Sequence, residues 1–173
     1  SDYTIPKAVD YDNLSAKARK ALAPTGWMLQ PKYDGCAIYL NTMTNEALSA
    51  SGKEVKSCEH IFSLVFDRYG HGEYCGEVWH PTMDFQEISG SFRRGYAQPH
   101  LQLQLFDCLP VGLPASTPYH IRMRGLPFDK DVTFTDWDAA WAQAREWQEE
   151  GGCDGAILRN PNAYWEPGRS KGD

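Results

Sequence analysis

A chain of 173 residues, 42% hydrophobic and 23% charged, has the size and composition of a globular domain able to bury a real core. Its net charge of −6 is the wrong sign for a surface whose main work is gripping phosphate backbones, so any nucleic-acid role has to come from local residues. No apolar run approaches the roughly 20 residues of a membrane helix, and the five cysteines form no Cys-x-x-Cys pair, which argues against a disulfide framework or a structural zinc site and for a cytoplasmic setting.

In chain order, Leu14, Ala18 and Leu22 recur at helical spacing between Asn13 and Ala23, and Pro24 follows as a stop. Strands are predicted over Trp27–Gln30, Cys36–Asn41, Glu73–Trp79, Leu101–Leu109, Asp131–Phe134 and Gly155–Arg159, punctuated by Gly52 and the cluster from Gly70 to Gly72. A second helix is predicted from Asp136 to Glu150. Thr135 and Asp138 give it a capping-box pattern, Trp137, Trp141, Ala144 and Trp147 an apolar core stripe, and Gly151 an end. Between the two helices the chain reads mostly as strand and turn. Strands without strict βαβ alternation predict an α+β fold of mainly antiparallel sheets flanked by a few helices. No linker or repeat divides it, so residues 1–173 read as a single domain.

Two strands carry informative parity. In the run from His100 to Asp107, Leu101, Leu103 and Leu105 share one face, and Phe106 shares the other with Gln102 and Gln104. An aromatic on the polar face fits a platform lining a cleft. Glu73, Cys75, Glu77 and Trp79 likewise point one way, either to solvent or into a site.

The sharpest motif is Gln30-Pro-Lys-Tyr-Asp-Gly35, which resembles the K-x-D-G signature of the covalent nucleotidyltransferases: DNA ligases, RNA ligases and mRNA-capping enzymes. An ordered series follows it. Ala50-Ser-Gly-Lys53 is similar to the family's R-[ST]-G, and Tyr74-Cys-Gly-Glu-Val78 to its D-G-E. Leu105-Phe-Asp-Cys-Leu-Pro110 resembles the aromatic–Asp strand end, and Cys153-Asp-Gly-Ala-Ile-Leu-Arg159 the [ED]-G-x-x-x-[KR] element. Details between the motifs are most similar to small phage-type ATP-dependent DNA ligases: Lys53-Glu-Val after Gly52, Glu59-His60, and Asp84-Phe85 ahead of Ser89-Gly-Ser91.

The resemblance implies a nucleotidyltransferase (ATP-grasp-like) adenylation domain in which Lys32, set in a turn between two strands, attacks the α-phosphate of ATP. The resulting Lys–AMP passes its AMP to a nucleic-acid 5′-phosphate so that a nick is sealed. A lysine doing this must shed a proton it ordinarily holds to about pH 10.4, which partial burial or nearby positive charge eases. By the same resemblance Gln30 reads the adenine edge, Asp34 and Gly35 complete the nucleotide loop, Phe106 stacks on the base, and Arg159 engages the α-phosphate. Glu77 and Asp154 supply carboxylates for Mg²⁺ (or Mn²⁺), a hard cation that prefers oxygen. Lys53, Arg93 and Arg94 are candidate nucleic-acid contacts. The implied partners are nicked duplex DNA, with RNA as the alternative, and an oligonucleotide-binding barrel after this domain; no membrane is implied. The implied location is bacterial or phage-infected bacterial cytoplasm.

Three positions depart from the family pattern. Ala37 and Ala50 stand where arginines are usual, and Cys75 where an acidic residue is usual. The final K-x-K motif and the barrel that the resemblance implies are absent from this chain, and the resemblance places them after Asp173. Two further readings share some of these features: an RNA ligase or capping-type enzyme, and a nucleotide- or nucleic-acid-binding module without chemistry. The basic clusters Arg122 with Arg124 and Arg169 with Lys171 read equally as solvated surface or phosphate contacts.

Overall fold

A computed structural model describes residues 28–124, 126, 132–133 and 137–166. The helix expected over Asn13–Ala23 lies outside these residues, as do Trp27, Asp131, Phe134, Thr135, Arg169 and Lys171. Among the described residues there are seven strands: β1 (Met28–Tyr33), β2 (Cys36–Asn41), β3 (Glu46–Ser49), β4 (Gly72–Trp79), β5 (Gln102–Pro110), β6 (Val132–Thr133) and β7 (Cys153–Arg159). They make a three-stranded sheet in the order β6-β1-β7 and a four-stranded sheet in the order β3-β2-β4-β5, with every neighbouring pair antiparallel. The described helices are α1 (Glu59–Tyr69), α2 (Phe85–Phe92), α3 (Tyr119–Arg122) and α4 (Trp137–Glu150). The α+β class with antiparallel sheets is as the sequence predicts.

The middle of the chain differs from the sequence reading, because α1, α2 and α3 occupy stretches taken as strand and turn, while β3 is a strand beyond those predicted. The apolar signal of these helices is weak or mixed. Helix α1 buries only Ile61 and Val65 while Leu64 and Phe66 stay exposed, which blurs the 3.6-residue period. Helix α2 contains Ser89 and Gly90, poor helix formers, and starts because Asp84 and Glu87 close a capping box. The stripe on α4 is also corrected. Ala140, Ala144 and Trp147 are buried at helical spacing, whereas Trp141 is 48% exposed.

Each sheet packs one face against helices. Ile38, Leu40, Tyr74, Val78, Leu101 and Leu105 pack with Ile61 and Val65 of α1 and Ile88 and Phe92 of α2. Burying such a side chain contributes roughly 1.5–3 kcal/mol. On the smaller sheet Leu29 packs with Ala140 and Trp147 of α4, against Ala156 and Leu158 of β7. The opposite faces carry Gln30 and Lys32 on one sheet and Tyr39, Cys75, Glu77 and Phe106 on the other. Tyr39 and Cys75 are buried there under Trp165, and the cleft lies where Lys32, Glu77, Arg159 and Phe106 approach one another. No described helix is long and apolar enough to cross a membrane.

Candidate active site

Antiparallel pairing of β1 with β7 fixes which side chains reach this cleft. Residues directly opposite share a face, so the pairs Met28–Arg159, Gln30–Ile157 and Lys32–Gly155 all point one way. The register slips between Lys32 and Tyr33, because Tyr33 pairs with Cys153 and Asp154 is left as the extra residue of a bulge. A bulge re-aims the residue it contains. The Asp154 carboxylate stands 3.7 Å from the Lys32 ammonium, with both side chains a little under half exposed. Lys32 itself lies within β1; the turn proper is Asp34–Gly35.

That turn has a steric reason for its glycine. A β-carbon on Gly35 would run into the carbonyl of Val78 and crowd the Trp79 side chain. The Asp34 amide donates to the Gly152 carbonyl (3.1 Å), and the Tyr33 ring sits 4.4 Å from that of Trp79. The Lys32 loop is therefore clamped between the two sheets.

Glu77 faces the same end of the cleft. Its carboxyl is pushed up from an ordinary 4.5 to about 7, first by burial and then by the negative charge of Asp154, with Lys32 pulling the other way and Asp34 adding to the rise. The charges of Lys32, Asp34 and Asp154 are thus all felt at Glu77. On β2 the residue paired with Glu77 is Ala37, so no arginine balances it there. Beside this cluster is an open depression of about 350 Å³ lined by Asp34, His80, Thr82, Met83, Asp84, Phe85 and Asp154.

A divalent cation would suit this end of the cleft. Three carboxylates meet one lysine, and the most buried of them resists ionisation. Among the described residues no group of three His, Cys, Asp or Glu side chains stands close enough to hold a metal alone. The carboxylate oxygens of Glu77 and Asp154 are donors of the kind a hard cation prefers.

The other end is built around Phe106. Register between β4 and β5 slips here: Cys75 pairs with Asp107 and Gly76 with Leu105, leaving Phe106 as the extra residue. A β-carbon on Gly76 would press on the Gln104 carbonyl and the Leu103 side chain, so the close approach at the bulge requires glycine. Phe106 packs against Tyr39, Leu48, Cys75 and Trp165, away from the cluster that holds Leu101 and Leu105, as strand parity predicts. The Arg159 guanidinium lies over its ring, 5.0 Å from the centroid, and its Nε donates to Gln30 Oε1 (2.8 Å). Arg159 therefore stands with Gln30 and Phe106, four residues along β7 from the partner of Lys32, a distance of roughly 13 Å at strand rise.

Cys75 lies in an apolar cluster where an acidic side chain would have to be buried, a physical reason for the departure from D-G-E. Ala50, Lys53, Arg93 and Arg94 are all exposed. Arg93 donates from Nε to the Ser89 carbonyl (3.2 Å), and its charge is felt at Cys36 beside the Lys32 loop.

Three participants escaped the sequence reading. Arg122, read as surface or phosphate contact, is only 2% exposed. It donates to the carbonyls of Cys108, Thr117 and Ala163 and to the Asp107 carboxylate (3.1 Å), with Tyr119 and Trp165 against its guanidinium. Trp165, from the segment after β7, closes the back of the Phe106 cluster. Tyr119 donates to the Phe106 carbonyl (2.7 Å) and accepts from Gln30 Nε2. Tyr119, Met123 and Leu126 at helical spacing after Pro118 were the available signal.

No family model matches this sequence. No curated protein matches it either. Solved structures do. The Chlorella virus DNA ligase–adenylate superposes with a TM-score of 0.67 at 16% identity, over 96% of this chain and 62% of that one. A Lig E DNA ligase gives 0.67 at 14%, over 98% and 65%. The ATP-dependent DNA ligase of bacteriophage T7, in complex with ATP, gives 0.66 at 18%, over 94% and 65%. The chain thus spans a little under two thirds of the length of each of these ligases. Over the residues they cover, this chain has the fold of these DNA ligases, with its two antiparallel sheets.

Proposed function

We propose that this chain is the adenylyl-transfer domain of an ATP-dependent polynucleotide ligase, with Lys32 as the covalent nucleophile. The observation that carries the reading is the pairing of Lys32 with Asp154 across a bulge, within the field of Glu77, at one end of a cleft whose other end holds Gln30 and Phe106. A lysine amine with neighbouring carboxylates at one end and an aromatic ring at the other match what the phosphate and base ends of a nucleotide require.

In the proposed step the Lys32 ammonium, a little under half exposed, first loses a proton to solvent water. The Nζ lone pair then forms a bond to the α-phosphorus, the bond to the bridging oxygen breaks, and pyrophosphate departs with that electron pair. Asp154 holds the Lys32 head group toward the carboxylate end, and the clamp at Asp34 and Tyr33 keeps β1 from fraying. Glu77 and Asp154 would hold Mg²⁺, which when bound supplies neutralisation of the charge building on the phosphates. Phe106 presents its ring to the base. AMP then passes to a nucleic-acid 5′-phosphate, with nicked DNA as the proposed substrate. RNA ligation shares the first step.

The test is intact-mass analysis after incubation with ATP and Mg²⁺, followed by peptide mapping. The expected result is one AMP on Lys32 and none on Lys32→Ala. An adduct on a different lysine, or no adduct under any metal condition, overturns the assignment.

A further inference from the structure

Gln30 has an amide whose two ends have opposite hydrogen-bonding character, and which end faces the cleft decides which base it can read. The surroundings leave no freedom in this. Tyr119 is 2% exposed, and its single hydroxyl proton is given to the Phe106 main-chain carbonyl, a group that only accepts. Toward Gln30 the hydroxyl therefore presents its oxygen as an acceptor, and the Gln30 amide must turn its NH₂ to it. Arg159, which only donates, meets the other end of the same amide at Oε1. Two independent neighbours enforce one orientation. Gln30 Oε1 is directed to the place where the Arg159 guanidinium lies over the Phe106 ring.

We propose that Tyr119 is a positioning residue that sets base specificity by holding Gln30 Oε1 toward the Phe106 platform as an acceptor. In the structure Arg159 makes both contacts a base would make there, one with the ring face and one as donor to Oε1. A base taking its place has to offer a donor at that edge. The exocyclic amine of adenine does; the 6-oxo group of guanine is an acceptor and meets Oε1 lone pair to lone pair. The relay from the Phe106 carbonyl through Tyr119 to Gln30 thus selects ATP over GTP. This rests on the reading that the cleft binds a nucleotide with its base on Phe106.

Two readouts separate the inference from that reading. One is Lys32 adduct formation with ATP or GTP; the other is the melting shift each nucleotide produces, which needs no chemistry. The parent protein is expected to prefer ATP in both. Tyr119→Phe keeps the ring and its packing but removes the acceptor, so the amide can turn over, and the ATP-to-GTP ratio is expected to fall about tenfold or more. A carboxylate accepts from either oxygen, so adding Gln30→Glu to Tyr119→Phe is expected to restore the preference for ATP. A merely structural role for Tyr119 would weaken both nucleotides alike and would not respond to that rescue. An unchanged ratio in Tyr119→Phe, or a parent protein without preference for ATP in either readout, overturns the inference. Selective melting shifts without any adduct would overturn the covalent reading and leave the relay standing.

Discussion

Glu77 and Phe106 show how much a single position in this cleft can be asked to carry. A carboxyl raised from 4.5 to about 7 in the folded chain favours folding when protonated. That contribution is complete below about pH 4.5, declines as pH rises, and is gone above about pH 7. Glu77→Gln removes the titration. Melting temperatures of variant and parent are expected to converge near about pH 4, and the variant should be the more stable at about pH 8, by about 3 kcal/mol at most. Millimolar Mg²⁺ should narrow the gap by stabilising the parent. Parallel melting curves for the two proteins across this range would exclude the argument. Phe106 is half-buried, not sealed in the core. Phe106→Ala should therefore cost less than the about 3–5 kcal/mol of a core phenylalanine, while base stacking worth roughly 1–3 kcal/mol is lost from ATP binding. Calorimetry and urea unfolding on the same samples separate the two. A full core-sized loss with unchanged ATP affinity would place Phe106 in the scaffold alone.

At the scale of elements, a buried arginine links the segment after β7 to the wall of the cleft. Arg122 ties the Ala163 carbonyl, the Thr117 carbonyl and the end of β5 together, and the Asp107 carboxyl opposite it is raised by burial and held down by Arg122. Main-chain bonds from Tyr119 to Ala163 and from Trp165 to Ala115 run alongside. Arg122→Met removes the donors and leaves Asp107 buried without its main cation, so a loss of about 3–5 kcal/mol is expected. Because Asp107 can then fold protonated, the loss should shrink as pH falls, and Asp107→Asn should recover part of it. A loss below about 1 kcal/mol, or one insensitive to pH, would show that the pair is not the clamp. The Lys32 loop makes a second element-scale case. Gly35→Ala forces a β-carbon into the Val78 carbonyl, so β1 and β2 can no longer turn against β4, and adduct formation should fall at least about tenfold. Normal adenylation by this variant would mean the turn relaxes freely.

For the whole molecule, net charge decides what the cleft can hold unaided. At −6, with three carboxylates near Lys32, the chain should bind duplex DNA no more tightly than about 10⁻⁵ M near physiological salt. Adenylation should proceed without DNA, and sealing of a nick by this chain should be slow. Fluorescence anisotropy with a nicked duplex checks the first claim; nanomolar binding would reveal a basic surface that the charge balance conceals.

Local sequence determined the class of fold and the order of the candidate site. Period-two runs located most of the strands, and their parity put Phe106 and Glu77 on the faces where they stand, because side-chain direction in a strand is a property of neighbouring residues. The same logic failed where the signal was mixed, at α1 and α2, and where burial depended on a distant partner, as at Trp141. Tertiary structure alone decided that Asp154 bulges toward Lys32, that Arg122 is buried, and that Tyr119 fixes the Gln30 amide. Each of these depends on contacts between residues far apart in the chain, 89 positions in the case of Gln30 and Tyr119. The bulge opposite Lys32 is a mismatch between two strands and exists in neither alone. Arg122 lost its water only because carbonyls and a carboxylate from three other segments converged on it, and no local pattern records that convergence.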